Sequence, residues 1–171
     1  RELYSPKLDT EWLYNTWGAG FKINNLYDGT FVLDEHFNVL WGSFQSQPFT
    51  ENDLSFFGDG LKALIDKHSN ALSKEKNIYA GITRTRHGVA FIGIGLVRPM
   101  VGPLQVSGDM RRYLVITRHL NPQILSDLGA TFQIDHLNYT PNKVNEMSMP
   151  LNSSAGALLG YLHRQAARKS G

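Results

Sequence analysis

Apolar residues recur along the chain with two alternating periods, and the switches between them divide the chain into elements. Over residues 9–25, Trp12, Asn15 and Ala19 follow Leu8 on one side of a helical wheel, with Leu13, Trp17 and Phe21 beside them. That spacing predicts an amphipathic helix, weakened in its second half by Gly18 and Gly20, about 1 kcal/mol each relative to alanine. Thr30 to Asp34 alternates and is rich in β-formers, Glu35 to Asn38 carries turn residues, and Val39 to Ser43 alternates again, which predicts a hairpin. Thr50 then opens a second helix as N-cap, with Asp53 as its acidic N3 partner. Its buried stripe is Leu54, Phe57, Leu61, Leu64, Ile65 and Leu72, and Gly58 and Gly60 are placed to split it.

The second half of the chain reads mainly as strands. Ile78–Thr85 and His87–Pro99 form a hairpin turned at Arg86-His87-Gly88. Val89 to Val97 is apolar on both faces, as a central strand is. Residues Val101 to Asp109 read as loop, and Arg112 to His119 as the next strand. Asn121-Pro122 opens a short helix expected to end at Gly129. Phe132 to Tyr139 reads as a strand, Thr140 to Asn152 as loop, and Ala157 to His163 as the last strand. Antiparallel pairs with helices inserted between them give an α+β class: a mixed, mainly antiparallel sheet of about five strands, with Val89–Val97 and Leu114–Thr117 in its interior.

Composition narrows the function classes. A chain of 171 residues is expected to form one domain that buries roughly two-thirds of its unfolded surface. A net charge of +2 gives no argument for a nucleic-acid partner. The absence of cysteine excludes disulfides, zinc–thiolate sites and thiol nucleophiles. No apolar run reaches the eighteen or more residues that span a bilayer. The chain starts at Arg1 without a signal peptide, so it is expected to be part of a longer protein, with residues 164–171 as a frayed tail.

The candidate chemistry is sparse. Gly93-Ile-Gly95 lies inside a strand and lacks the third glycine and following helix of a dinucleotide fingerprint, so it reads as small residues that let a helix or ligand approach the sheet. The six histidines include no pair at the spacing of a metal site, and neither metal nor cofactor is expected. No nucleophile elbow or phosphate loop occurs, and Asp34 and Glu35 read as turn residues rather than a carboxylate pair. Arg98 and Arg118 each end an apolar strand, where a guanidinium needs a carboxylate, carbonyls or an anionic ligand. Asp28, Asp109 and Asp127 are the structural partners to weigh against a ligand. Trp12, Trp17, Tyr27, Phe31, Trp41, Phe91 and Tyr113 read either as plain core or as the lining of an apolar pocket between helix and sheet.

Several of these segments together resemble one family. Asp9-x-x-Trp12-x-x-Asn15-x-Trp17-Gly18, Tyr27-Asp28-Gly29-Thr-Phe-Val-Leu-Asp34 and Val39-Leu-Trp41 are similar to the fourth class of CHASE domain. So are Arg98-Pro99, Tyr113 to Leu120, Ile124-Leu125-x-x-Leu128 and the closing Leu151 to Leu162. The resemblance covers nearly the whole chain and implies a PAS-like, extracytoplasmic sensor domain set between two membrane helices of a histidine kinase or cyclic-di-GMP signalling protein. It implies a periplasmic location, no catalysis by this domain, and a small-molecule ligand, anionic on the reading of the arginines. The ligand-binding candidates are Trp12, Asn15, Tyr27, Phe31, Arg98, Tyr113 and Arg118. The family begins with a longer helix, so a homodimer through a membrane-proximal helix outside this sequence is a further expectation. A non-catalytic dimerisation or protein-docking module and a small hydrolase or transferase are the rival readings.

Overall fold

The computed structural model describes residues 27–74, 78–97 and 111–164, with backbone only at 131 and 132. The class is α+β, with two antiparallel sheets and two α-helices among the described residues. The larger sheet contains β1 (Gly29–Leu33), β2 (Val39–Phe44), β3 (Gln47–Phe49), β4 (Ile78–Thr85), β5 (Gly88–Leu96) and β6 (Tyr113–His119). Their spatial order is β3-β2-β1-β6-β5-β4, every neighbour antiparallel. As the apolar pattern predicts, β5 and β6 lie in its interior.

The helical connection between β3 and β4 starts later than the sequence suggests. The Asn52 carbonyl accepts from the Val39 N–H at 2.8 Å, which ties Asn52 to the start of β2, and residues 50–52 form no helix. Thr50 therefore caps nothing, and a 3-10 turn begins only at Ser55–Phe57, with the Asp53 side chain accepting from the Ser55 N–H. Gly58, at φ +62°, separates this turn from helix α1 (Gly58–Leu72); a side chain there would meet the Arg84 carbonyl. The anticipated glycine split is thus real. α1 kinks at His68, whose ring stacks on Tyr79 with centroids 4.0 Å apart.

α1 and the 3-10 turn cover one face of the larger sheet. Strand alternation sends Phe31, Leu33, Ile92, Ile94, Tyr113 and Val115 to that face, where they meet Phe56, Phe57, Leu61, Leu64, Ile65 and Leu72. Phe31 is fully buried and takes edge-on contacts from Phe49 and Phe57 at 5.1 and 4.8 Å. Each such side chain contributes about 1.5–3 kcal/mol by leaving water.

The larger sheet has six strands where about five are expected, and a second sheet of three strands accompanies it. β7 (Leu137–Thr140), β8 (Met149–Asn152) and β9 (Leu158–Arg164) are ordered β7-β9-β8, with helix α2 (Pro122–Phe132) packed on β7. α2 starts as expected, the Asn121 side chain accepting from the Ile124 N–H at 2.8 Å. It runs past Gly129 because the stop is Gln133 in the left-handed region, and the chain folds back so that the Ile134 N–H reaches the Gly129 carbonyl at 2.7 Å. The helix end at Phe132 and the turn at 133–136 take the first half of the expected strand at 132–139, and β8 occupies the end of the expected loop at 140–152.

Candidate functional site

The far face of the larger sheet, away from α1, carries the cleft. Along β5, Gly93 and Gly95 alternate with the core residues Ile92 and Ile94 and so point to this far face. The register sets Gly93 opposite Ile116 on β6 and Ala80 on β4, and Gly95 opposite Leu114 and Ile78. Where neighbouring strands carry isoleucine and leucine, β5 carries hydrogen. The result is an apolar cleft of about 160 Å³, floored by Gly93 and Gly95 and walled by Ile78, Leu114 and Ile116. A Cβ on Gly93 would lie 3.3 Å from Ile116 and 3.4 Å from Ile78, so even a small side chain would bridge the two walls. Ile78 is 68% exposed, unusual for an isoleucine in a strand.

Arg118 lies on the same far face, two residues along β6 from Ile116 and opposite Phe91. Its guanidinium is 3.6 Å from the Asp127 carboxylate of α2, beyond hydrogen-bond range, and both groups reach solvent. Asp127 also accepts from the Gln123 side-chain amide at 3.0 Å. An exposed pair of this kind contributes about 0–1 kcal/mol. Among the described arginines the argument about buried guanidiniums applies instead to Arg112, whose side chain is 11% exposed and is held by Glu35 at 3.1 Å.

A polar cluster sits at the C-terminal end of β6, on the α1 face. Asp28 accepts three hydrogen bonds: from the Thr117 hydroxyl at 2.7 Å, the His119 N–H at 2.6 Å and His119 Nδ1 at 2.8 Å. Burial alone would raise the Asp28 carboxyl; the bonds from His119 and Thr117, together with the His119 charge, outweigh it and hold the group below its ordinary value. A carboxylate only accepts, so Nδ1 carries hydrogen and Nε2 faces the Thr85 hydroxyl. Thr85 in turn donates to the Gly88 carbonyl and accepts from the His87 N–H at 3.0 Å. The rings of Phe44 and Phe56 lie over His119 and His87.

Carboxylate, imidazole and hydroxyl in this order form a relay of the kind that activates a nucleophile. Thr85, however, is 5% exposed, and its hydroxyl is engaged within the β4–β5 turn. The cluster fastens the start of β1 to the end of β6 and to that turn. Sequence reading missed it because its members are far apart in the chain; the available signal was Thr117 and His119 sharing a face of one strand with the core residue Val115.

The candidates named from sequence do not converge on one space. Phe31 and Tyr113 belong to the core on the α1 face, at 0% and 2% exposure, whereas Arg118 is on the far face. Tyr27 is 40% exposed just before β1. Trp41 is buried on the far face, and Phe91 is half-buried there. Trp12, Asn15, Trp17, Arg98 and Asp109 lie outside the described residues. Among the described residues no group of three or more acidic residues or histidines could hold a metal, and no helix is long and apolar enough to cross a membrane. In comparison with known proteins, the chain matches no family model and no curated sequence.

Proposed function

We propose that this chain is a non-catalytic, ligand-sensing input domain, PAS-like in fold, from the extracytoplasmic part of a membrane signalling protein such as a histidine kinase or a cyclic-di-GMP enzyme. The observation that carries the reading is the glycine-floored cleft. A strand interior gives up side-chain packing at Gly93 and Gly95, a loss in stability that makes sense where something must approach the sheet closely. Its volume is close to the roughly 150 Å³ of an engineered apolar cavity that takes up benzene. The antiparallel sheet, with its helical crossover confined to one face, and the similarity of the Asp9–Trp41 and Tyr113–Leu120 segments to the fourth class of CHASE domain supply the rest.

The cleft wall at Ile78 belongs to β4, and β4 also touches the second sheet through Ile82 and Arg84. A ligand seated between β4 and β6 therefore acts on the strand that leads to β9, and it biases the domain to the extent that it binds one arrangement of those strands better than another. The test is two-dimensional NMR with toluene as probe. Shifts are expected first at Gly93, Gly95 and Ile116 and then along β9, and Gly93→Val should abolish them while keeping the folded spectrum. Shifts confined to the cleft, or none at all in a folded sample, would count against a sensor.

A second reading, a small hydrolase, takes its support from the Asp28–His119–Thr85 order alone. Hydrolysis of an activated ester that is lost in Thr85→Val and unaffected by Gly93→Val would favour that reading over the first.

A further inference from the structure

The cleft and Arg118 share one face, and together they specify a ligand more narrowly than either does alone. The walls at Ile78, Leu114 and Ile116 offer only hydrocarbon, and the space of about 160 Å³ holds one small ring or a chain of about six carbons. Along β6, Ile116 to Arg118 is two residues, about 7 Å. The guanidinium is therefore within reach of the cleft mouth, and its present neighbour, Asp127, stands at 3.6 Å in solvent-exposed surroundings and is itself shared with Gln123. An exposed carboxylate beyond hydrogen-bond distance leaves room for a ligand carboxylate to join it, because the planar guanidinium fork receives two oxygens at once.

We infer that the cleft takes small amphipathic monocarboxylates: one aromatic ring or short alkyl chain lying over Gly93 and Gly95, with the carboxylate on Arg118. This rests on the sensor reading and adds to it the sign of charge and the polarity pattern of the ligand. Phe91, paired with Arg118 across β5 and β6, flanks the head-group position, so the apolar surface continues up to the charge.

Calorimetric titration with 3-phenylpropionate and its neutral analogue 3-phenylpropanamide tests the inference. The carboxylate is expected to bind at least about tenfold more tightly, the lower end for a hydrogen bond to a charged group. Arg118→Gln should erase that preference while leaving amide binding unchanged, and Arg118→Lys should restore it in part, since the charge remains and the fork is lost. Asp127→Asn should tighten carboxylate binding, because a competing carboxylate is removed and the oxygen that serves Gln123 is kept. Equal binding of the two compounds, or a preference that survives Arg118→Gln, overturns the carboxylate assignment while the cleft and the sensor reading stand. Binding of neither compound by protein with a native spectrum overturns both. Arg118 is half-exposed, so these variants are expected to fold; a circular dichroism melt for each confirms that a lost preference is not lost structure.

Discussion

At the scale of single residues, Asp28 accepts three hydrogen bonds from the strand beside it, and its value to the fold depends on its charge. The side chain is 14% exposed and serves Thr117 and His119 on the neighbouring strand. Asp28→Asn keeps the shape and removes the charge; the expected loss is about 1.5–3 kcal/mol at pH 7, measured by urea unfolding. The pH dependence follows from the direction of its titration. The folded carboxyl is held below the ordinary value of 3.8 that it regains on unfolding, so its stabilisation is complete above that value and drains away as pH falls through it. The difference between Asp28→Asn and the unsubstituted protein should therefore be constant from pH 7 to about 5 and shrink below about 4. A difference that stays constant down to pH 3 would mean that the carboxylate charge is not its source.

At the scale of elements, close approach outweighs helix propensity. Gly60 sits inside α1, where alanine would ordinarily gain about 1 kcal/mol. Its missing Cβ is the space occupied by Thr83 of β4, fully buried, whose hydroxyl accepts from the Gly60 N–H at 3.1 Å and donates to the Phe57 carbonyl at 2.5 Å. Gly60→Ala should consequently destabilise, by about 1–3 kcal/mol for an overpacked site, and the loss should fall well short of additivity when combined with Thr83→Ala in a thermal double-mutant cycle. Additive losses would show that the helix–strand contact is not the constraint. Elements of this kind are partly legible in sequence. The β4–β5 hairpin was, because Arg86-His87-Gly88 interrupts two long apolar runs and Gly88 takes φ +127° there. The β2–β3 hairpin was not: Gln45 and Ser46 adopt φ +50° and +64°, a turn that asparagine and glycine normally signal. The cleft was half legible. Gly93-Ile-Gly95 announced a close approach to the sheet, but which side chains would wall the space depends on a register between strands distant in sequence.

At the scale of the whole molecule, the exposed strand edges explain how two sheets hold together without pairing further. β3 carries Pro48 and β8 carries Pro150, residues that cannot donate to an added strand. The β4 edge is closed differently. Ser154, in the turn between β8 and β9, donates its N–H to the Ile82 carbonyl at 2.8 Å and accepts from the Ile82 N–H through its hydroxyl, while the Arg84 guanidinium donates to the Leu159 carbonyl at 2.7 Å. Gly81 has no Cβ where the Ser154 hydroxyl rests, so the turn can seat against the strand. Tyr139 donates to the same Leu159 carbonyl, which draws the smaller sheet's own strands to the staple. The larger core contains none of these residues, so the second sheet should open as a unit of its own when the staple is cut. Arg84→Ala combined with Ser154→Ala removes four side-chain hydrogen bonds, two of them long at 3.4 Å, for about 1–3 kcal/mol of local free energy. In hydrogen exchange the β9 amides are then expected to exchange roughly 5–150-fold faster. The amides of Ile92 and Ile94, deep in the larger core, should keep their protection. If all of them accelerate together, the two sheets unfold as one, and the strand that walls the cleft cannot move against β9 without melting the fold.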